Sequence, residues 1–350
     1  MTTLKKITHN AEKSFDKAKL KVKNKLHLFD PVIIYPYRGY ANGYKAQIHG
    51  RILEKERMIH EEQVAEDTLW NNVRKIWKRY ESDEIPGVAL EGEFFGIKSK
   101  TRSDEEGYFT LVFEGLEKEE LADGWHKAKI RITDMPFDVE YEETAIGEIL
   151  NSSQQNEFGI ISDVDDTIIK SHAMNLIKKL RILITKNVKN RVAFEGVDEL
   201  YRKLIAKGKN PLFFISGSSY NLYDMLVKFC ELQDIPDAPF VLRDLGLDAR
   251  QWIKMGTMKY KKQHIHHLLE FYDQLPFIFI GDSGQKDPEI YLDIYQNHPE
   301  RVKAIYIRHV HTDKRKKELE DMIKSTDVPF LVMSHSRDAV QHAAENNWIE

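Results

Sequence analysis

The sequence predicts a mixed α/β protein, in which a doubly wound parallel sheet covered by helices follows a strand-rich domain and a basic helix. Strand-like and helix-like segments alternate after residue 156. Before that point, five strand-like segments occur without an alternating helix pattern, and lysines crowd the first 28 residues. We therefore expect three regions, at residues 1–28, 29–150 and 151–350.

The first region combines positive charge with an apolar stripe. Residues 1–28 hold eight lysines against two acidic residues and carry +6, whereas the rest of the chain carries −10 of the net charge of −4. Apolar side chains recur at spacings of three or four from Leu4 to Leu26. A lysine-rich amphipathic helix can lie on an anionic membrane surface. The alternative is a helix that packs on the body of the protein with its lysines in solvent.

The second region is predicted to be a small β-sandwich, because its segments alternate or are rich in β-branched and aromatic residues. The predicted strands are 32–35, 45–53, 87–95, 107–113 and 126–132, and a helix is predicted at 62–80. A linker is expected from about Glu143 to Gln155, where the sequence becomes polar. Nothing in this region indicates a function of its own.

The third region is predicted to be a parallel sheet with helices on both faces. Its strands are expected near 158–162, 211–215, 239–242, 277–281, 303–307 and 329–333. In such sheets ligands bind beyond the carboxyl ends of the strands. The residues that follow these strands are therefore the candidates for a functional site.

Two carboxylates follow the first of these strands, one residue apart. In an extended chain Asp163 and Asp165 point to the same side. Two like charges this close are costly unless a cation lies between them, which favours a divalent metal ion facing a phosphoryl group. An EF-hand is excluded, because Ile168 and Met174 stand where that loop needs Gly and Glu. Taken alone, the motif is also compatible with an acidic strand end in solvent.

Small and hydroxyl residues follow the second strand. Ser216 and Gly217 begin a loop whose backbone N–H groups, backed by the next helix, can bind an anion. An ordinary strand-to-helix turn with a serine N-cap is the alternative. After the fourth strand comes Asp282, in a position to join a metal site, and Asp287 follows it five residues later.

Three lysines open the helix between these segments. Lys259, Lys261 and Lys262 lie early in a helix, where positive charge opposes the helix dipole, so a use for the charge is expected. A solvated face is the alternative, and it is favoured for two of the three.

The four segments together resemble the motifs of the haloacid dehalogenase (HAD) phosphatase superfamily, in the same order: D-V-D-D-T, a strand ending at serine, a lysine and G-D-S-G-Q-K-D. The strings G-D-S-G-Q-K-D-P-E-I-Y (281–291) and I-Y-I-R (305–308) resemble the catalytic domain of the actin-patch phosphatidate phosphatase family, which is distantly lipin-like. The resemblance spans about 156–312 and extends weakly to Y-R-G-Y (37–40) and G-R-I-L (50–53). Relatives often read S-G-S-P-W where this chain reads S-G-S-S-Y, and Tyr220 is expected to stack in place of Trp.

The resemblance implies a HAD-like, Rossmann-like sheet with a small cap, and a definite set of roles for the first motif. Asp163 is the implied nucleophile, which forms an aspartyl-phosphate, and Asp165 the implied general acid and base. Mg²⁺ is the implied cofactor, held by Asp163, by the main-chain carbonyl of Asp165 and by Asp282. The short stretch between Thr167 and Gly196, with one helix at 174–185, implies a cap small enough to admit a bulky or membrane-bound phosphate ester.

The remaining roles concern the phosphate group. The resemblance implies that Thr167 braces the loop and that Ser216, Gly217 and Lys261 hold the phosphate oxygens. Lys259 and Lys262 remain alternatives to Lys261. Asp287 is expected to orient the lysine or a metal-bound water, and Arg308 to contact a phosphate head group or form a salt bridge.

Composition sets the broad class. With 41% hydrophobic and 31% charged residues the chain is expected to be globular, cytoplasmic and at most peripheral on a membrane. Cys230, the single cysteine, lies on an apolar helix stripe and is expected to pack in a core. The net negative charge argues against nucleic acid as a partner.

The function predicted from the sequence is Mg²⁺-dependent hydrolysis of a phosphomonoester, in particular phosphatidate or a related lipid phosphate. The alternatives are a HAD phosphatase for a soluble phosphate ester, and a catalytically silent module that binds lipid or phosphoprotein. The presence of both Asp163 and Asp165 argues against a silent module.

Overall fold

Two hydrogen-bonded β-sheets organise the chain, one built from the first eight strands and the other from the last six. The structure, a computed structural model, describes residues 30–54, 85–153, 155–164, 167–168, 193–243, 248–309 and 312–349. The predicted basic helix at 1–28, the helix at 62–80 and the cap helix at 174–185 lie outside the described residues.

The first sheet confirms the predicted strand-rich N-terminal region. Its strands are β1 Val32–Pro36, β2 Gly39–Ala41, β3 Lys45–Glu54, β4 Ala89–Phe94, β5 Ile97–Arg102, β6 Tyr108–Glu114, β7 Gly124–Asp134 and β8 Thr144–Asn151. They pair in the order β1-β3-β2-β8-β7-β4-β5, with β6 on β3. Because β5 also runs beside β6, this one sheet folds back over an apolar core that includes Ile48, Phe113 and Ile130.

The predicted linker is corrected by strand β8. Residues 144–151 were expected to connect two domains, but they pair with β7 on one side and with β2 on the other. The polar residue Asn151 is fully buried at the end of this strand, and its amide donates to the carbonyl oxygens of Leu121 at 3.0 Å and Ala122 at 3.1 Å. Those bonds satisfy the amide donors of Asn151 inside the fold. A polar residue at this point of the sequence was therefore not evidence for an exposed linker.

The second sheet confirms the predicted α/β architecture with six parallel strands. They are β9 Gly159–Asp163, β10 Leu212–Ser219, β11 Phe240–Arg243, β12 Phe277–Asp282, β13 Val302–Arg308 and β14 Phe330–Met333. The helices that the structure describes are α1 Val197–Leu204, α2 Tyr223–Leu232, α3 Asp248–Phe271, α4 Asp287–Asn297, α5 Asp313–Lys324 and α6 Ser336–Glu345.

Apolar residues cover both faces of the second sheet. Along β9, Ile160 packs into one core and Ile161 into the other, and Phe214 and Phe213 of β10 divide in the same way. This explains why the strands read as continuous apolar runs. Cys230 of α2 is buried in the first of these cores, as predicted. Within the part of the chain that the structure describes, no helix is both long and apolar enough to span a membrane.

The strand order β11-β10-β9-β12-β13-β14 places a switch point at the centre of the sheet. Strand β9 pairs with β10 on one side and with β12 on the other, and the connections leave in opposite directions. A crevice opens at the carboxyl ends of strands where the order reverses in this way. The candidate site is expected there.

Candidate active site

Three buried carboxylates meet at this switch point. Asp163 ends β9, Asp282 ends β12 and Asp287 begins α4. One carboxylate oxygen of each lies within 4.8 Å of those of the other two, and all three side chains are at most 1% exposed. Because Asp163 pairs with Ile215 in the sheet, Ser216 follows one residue beyond it on the neighbouring strand.

Lys261 of α3 joins the carboxylates. Its Nζ lies 2.6 Å from Asp163 Oδ1 and 2.6 Å from Asp287 Oδ1, and its side chain is 3% exposed. The two alternative lysines lie elsewhere. Lys259 is exposed, and Lys262 forms an ion pair with Asp293 at 2.7 Å. Of the three lysines considered, the structure therefore brings Lys261 to the site.

The electrostatics of the cluster follow from burial and mutual charge. Burial by itself would lower the pKa of Lys261, but attraction to Asp163 and Asp287 outweighs it and raises that pKa, so the ammonium form persists. Burial raises the pKa of Asp282 to about 7, and the neighbouring charge of Asp287 adds to the effect. The described cluster thus holds three carboxylates against one ammonium group, which favours binding of a further cation.

A tight turn fixes the orientation of Asp282. Its Oδ1 accepts hydrogen bonds from the backbone N–H groups of Gly284 at 2.5 Å and Gln285 at 3.0 Å, in the manner of an Asx turn. Its buried Oδ2 has no hydrogen-bond partner among the residues that the structure describes. One oxygen therefore holds the loop, and the other is available to a ligand.

Arg315 of α5 braces the same loop from outside. Its guanidinium donates to the carbonyl oxygen of Ser283 at 2.9 Å and weakly to that of Gln285 at 3.4 Å. It also pairs with Glu289 at 2.8 Å and Glu318 at 3.1 Å. Arg315 was not predicted, because no sequence motif links helix α5 to the turn at Gly284.

The backbone carbonyl group of Asp163 is held by two linked hydroxyl groups, those of Ser162 and Tyr201. The hydroxyl of Ser162 donates to the carbonyl oxygen of Asp163 at 2.8 Å and therefore accepts from Tyr201, whose hydroxyl lies 2.6 Å away. Thr167 is fully buried and donates to Asp163 Oδ2 over 3.4 Å, which places it beside the carboxylate, and its predicted role in bracing the loop and binding phosphate stays a prediction. Ser162 and Tyr201 were not anticipated, since neither belongs to a motif.

Among the residues that the structure describes, Arg308 binds a carbonyl oxygen and a hydroxyl group, and its two predicted roles stay predictions. Its Nε donates to the carbonyl oxygen of Thr167 at 3.2 Å, and its Nη2 donates to Ser336 Oγ at 2.8 Å. The guanidinium lies 4.1 Å from the ring centroid of Phe194, and burial lowers its pKa to about 10. Arg308 therefore packs inside the domain and holds the segment at Thr167.

Strand β10 loses its regular register with β11 between Ile215 and Ser219, and this stretch, called the loop of Ser216 below, presents Ser216 and Gly217 beside Asp163. Ser216 is fully buried and its Oγ accepts from the backbone N–H of Ser218 at 3.0 Å, while Gly217 is half-buried. The structure thus brings Asp163, Ser216, Gly217, Lys261, Asp282 and Asp287 to one end of the sheet. Asp165 lies outside the described residues, so its predicted role stays a prediction.

The fold and the cluster define an α/β domain with a carboxylate-rich site at the switch point of a parallel sheet. Residues 158–309 match the family described as phosphatidate phosphatase APP1, catalytic domain. This match confirms the predicted resemblance to the catalytic domain of the actin-patch phosphatidate phosphatase family, and with it the similarity of this segment to a phosphoric monoester hydrolase.

Two curated relatives match about half of the chain. Phosphatidate phosphatase APP1 of Saccharomyces cerevisiae is 28% identical over 185 residues, which are 52% of this chain and 31% of that protein. An uncharacterised protein of Schizosaccharomyces pombe is 25% identical over 181 residues, 51% of this chain and 30% of its own length. The chain thus matches less than a third of the length of either relative.

Solved structures give no further guide to the fold. A carbohydrate acetylesterase from Xanthomonas citri aligns with 86% of this chain and 70% of its own, at 9% identity and a TM-score of 0.30. A similarity of that size supports no conclusion about this protein.

Proposed function

We propose that this protein is a Mg²⁺-dependent phosphatase of HAD-like fold, which hydrolyses a phosphomonoester through an aspartyl-phosphate on Asp163. The observation that carries the proposal is the buried cluster of Asp163, Asp282 and Asp287 around Lys261, next to the loop of Ser216. The cluster lies within the segment that matches a phosphatase catalytic domain, and its charged groups suit phosphoryl transfer.

The residues present fit a magnesium ion. Mg²⁺ prefers carboxylate oxygens and water. One carboxylate oxygen of Asp282 lies within 4.8 Å of one of Asp163, and Oδ2 of Asp282 has no hydrogen-bond partner in the described part of the chain. Asp163, Asp282 and the main-chain carbonyl of Asp165 would hold the ion, with Asp287 close enough to orient its water. When bound, the ion would neutralise part of the charge that develops on the phosphoryl oxygens.

The chemistry assigned to the chain has two steps. In the first, an oxygen of Asp163 forms a bond to phosphorus while the ester oxygen leaves, and Asp165 gives its proton to that leaving oxygen. In the second, Asp165 takes a proton from a water molecule whose oxygen attacks the phosphorus and releases Asp163. Lys261 holds the Asp163 carboxylate in place and, with Ser216, stabilises the phosphoryl oxygens.

The proposed substrate is phosphatidate or a related lipid phosphate. The description of the matching family names phosphatidate phosphatase, and that name supports the lipid substrate over a soluble ester. The lysine-rich residues 1–28 are proposed to hold the protein at an anionic membrane surface from the cytoplasmic side. Both points stand on the similarity and the composition rather than on the geometry of the site.

The test is phosphate release from phosphatidate in mixed micelles and from a soluble aryl phosphate, each with and without Mg²⁺. We expect metal-dependent release from the lipid, and a fall of about 1,000-fold or more in kcat for Asp163→Asn, which cannot form the acyl phosphate. Asp165→Asn should be similarly impaired. The matched control is Asp198→Asn, which alters a half-buried carboxylate paired with Arg202 on α1, and this variant should keep its activity.

Each outcome separates one part of the proposal from another. Release from the aryl phosphate alone would keep the mechanism and move the substrate to the soluble phase. Full activity of Asp163→Asn would refute the nucleophile, and activity unaffected by chelation would refute the metal. No release from either substrate would favour the silent binding module.

A further inference from the structure

A short turn connects the loop of Ser216 to helix α2. Strand β10 ends at Ser219, a single 3₁₀ turn covers Tyr220–Leu222, and α2 begins at Tyr223. Within the turn, the Ser219 hydroxyl accepts a hydrogen bond from the N–H of Asn221 at 3.1 Å. The position of this turn decides where the preceding loop lies, because no residue separates the two.

The first domain contacts this turn at successive positions. The ring of Tyr37, between β1 and β2, stacks on that of Tyr220 with centroids 4.4 Å apart and planes 18° from parallel. Arg51 of β3 donates from Nη1 to Asn221 Oδ1 at 2.7 Å. The backbone N–H of Arg38 donates to the Tyr223 hydroxyl at 3.0 Å. The weakly matching segments 37–40 and 50–53 therefore supply the contacts with the turn.

Arg51 is held firmly by the first domain. Tyr37 is fixed there through its backbone N–H, which donates to the carbonyl oxygen of His49 at 2.8 Å, while its ring packs among core residues of the second sheet. Arg51 is 5% exposed, its Nε donates to the carbonyl oxygen of Glu106 at 2.9 Å, and its guanidinium lies 4.4 Å from the ring centroid of Tyr108. Tyr37 is 3% exposed. A planar guanidinium fixed on two sides loses little freedom when it binds a third group, so Arg51 can hold Asn221 in a defined place.

We infer that Tyr37 and Arg51 of the first domain are positioning residues for the phosphate site of the second. They fix Tyr220 and Asn221, and through them the loop of Ser216 and Gly217 that is to receive the phosphoryl oxygens. The inference rests on the proposed function. It gives the N-terminal sheet a role in positioning the phosphate site.

The carboxylate cluster has separate supports. Asp163 is held by Ser162 and Lys261, and the Asp282 loop by Arg315, none of which contacts the turn at Tyr220 in the part of the chain that the structure describes. Loss of the Arg51 contact should therefore weaken phosphate binding and leave Mg²⁺ binding unchanged. A general loss of structure would weaken both.

The experiment compares Arg51→Gln, Asn221→Ala and the double variant with the full-length wild-type protein. Affinity for inorganic phosphate in the presence of Mg²⁺, and affinity for Mg²⁺ alone, are measured by titration calorimetry. Misplacing a binding group by about 1 Å can cost up to about 100-fold, and we expect a loss of about tenfold in phosphate affinity for each single variant. The double variant should lose no more than either single one, because both remove the same contact.

The control is Tyr272→Phe, which removes a hydrogen bond of 3.0 Å between the Tyr272 hydroxyl and the carbonyl oxygen of Ala41. This bond also joins the two domains, but it lies away from the turn, so phosphate affinity should be unchanged while thermal stability falls. Asn221→Ala, which leaves the packing of Arg51 intact, carries the test if Arg51→Gln does not fold.

Two results would overturn the inference, and they are distinguishable. Wild-type phosphate affinity in both single variants would refute the positioning role and leave the proposed function standing, as would an equal loss in Tyr272→Phe. A wild-type protein that binds no phosphate with Mg²⁺ present would contradict the proposed function, and the inference with it.

Discussion

Lys261 carries its charge in a place nearly closed to water. An ammonium group there is stable because Asp163 and Asp287 each lie 2.6 Å from it. The arrangement has a cost, since either carboxylate left without its cation would be a buried, uncompensated charge. The site therefore depends on Lys261 in the absence of phosphate as well as in its presence.

We predict that Lys261→Met abolishes most activity while Lys262→Met does not. Removing one preorganised donor costs about 100- to 1,000-fold in kcat, and the loss of a buried ion-pair partner adds about 3–5 kcal/mol of destabilisation. Lys262 forms a half-exposed pair with Asp293 that contributes at most about 1 kcal/mol. Steady-state kinetics and urea unfolding of both variants test this. Equal activity in the two would show that Lys261 is not the phosphate-site lysine.

At this scale the sequence predicted the charged residues of the motifs but not their supports. Asp163, Asp282 and Lys261 could be found because strand ends and helix spacing place them. Arg315 and Tyr201 could not, because their contacts depend on how distant helices pack against the sheet. Arg308 is a similar case. Its position at the end of β13 was predicted, but its hydrogen bond to the carbonyl oxygen of Thr167 was not.

The junction of strand β12 and helix α4 is closely packed around one glycine. A Cβ on Gly281 would lie 2.7 Å from the Cβ of Asp287 and 2.9 Å from a ring carbon of Tyr291. Contacts of this length are too short for a Cβ atom, so Asp287 or Tyr291 would have to move. The absence of a side chain at Gly281 is therefore what lets Asp287 stand next to the strand and reach Lys261.

We predict that Gly281→Ala reduces both stability and activity. Overpacking of this kind costs about 1–3 kcal/mol, and the displaced Asp287 would no longer hold Lys261 beside Asp163. Gly92→Ala is the matched control, because its Cβ would lie 2.7 Å from Leu111 in the first domain, away from the site. It should lose similar stability and keep kcat. Urea denaturation and kcat of the folded variants check both, and an equal kcat in the two would contradict the role given to Asp287.

Strands buried on both faces were predictable, and the polar edge strand β5 was not. Strands β9 and β12 are buried throughout and mostly apolar, so their positions were predicted to within a residue or two. In β5 half-buried residues alternate with exposed polar ones, and only Ile97 among them is apolar. It forms from its pairing with β4 rather than from its own composition.

A cavity of about 500 Å³ lies between the two domains. His49 of β3 lines one side, and His264 and His267 of α3 line the other. Burial, together with repulsion from the other histidines, lowers the pKa of His49 to about 4 and that of His264 to about 4. The domains therefore meet across a space whose histidines His49 and His264 stay uncharged at neutral pH. That the chain has more than one core was predictable from its length, but this contact between the domains was not, because its members are scattered along the sequence.

We predict that the protein loses stability as the pH falls from about 6.5 towards 4. Between these values His49 and His264 bind protons in the unfolded chain but not in the folded protein. The free energy of unfolding therefore rises with pH, and the contribution of the two histidines reaches its full value above about pH 6.5. Partial exposure and the shared repulsion keep the expected loss between pH 7 and pH 5 to about 2 kcal/mol in total. Other groups near them act in the same measurement: Lys45 adds to the repulsion on His267, while Glu270 opposes it.

Because carboxylates elsewhere also titrate, the decisive measurement is a difference between variants. Urea unfolding at pH 7 and pH 5 is compared for the wild type, His264→Gln, and the control His126→Gln, which alters a histidine on β7 outside the cavity. His264→Gln takes up no proton and removes a repulsion from His49, so we expect it to lose about half of the wild-type pH dependence. The control should keep all of it. If the two variants respond to pH alike, the histidines do not couple protonation to the contact between the domains.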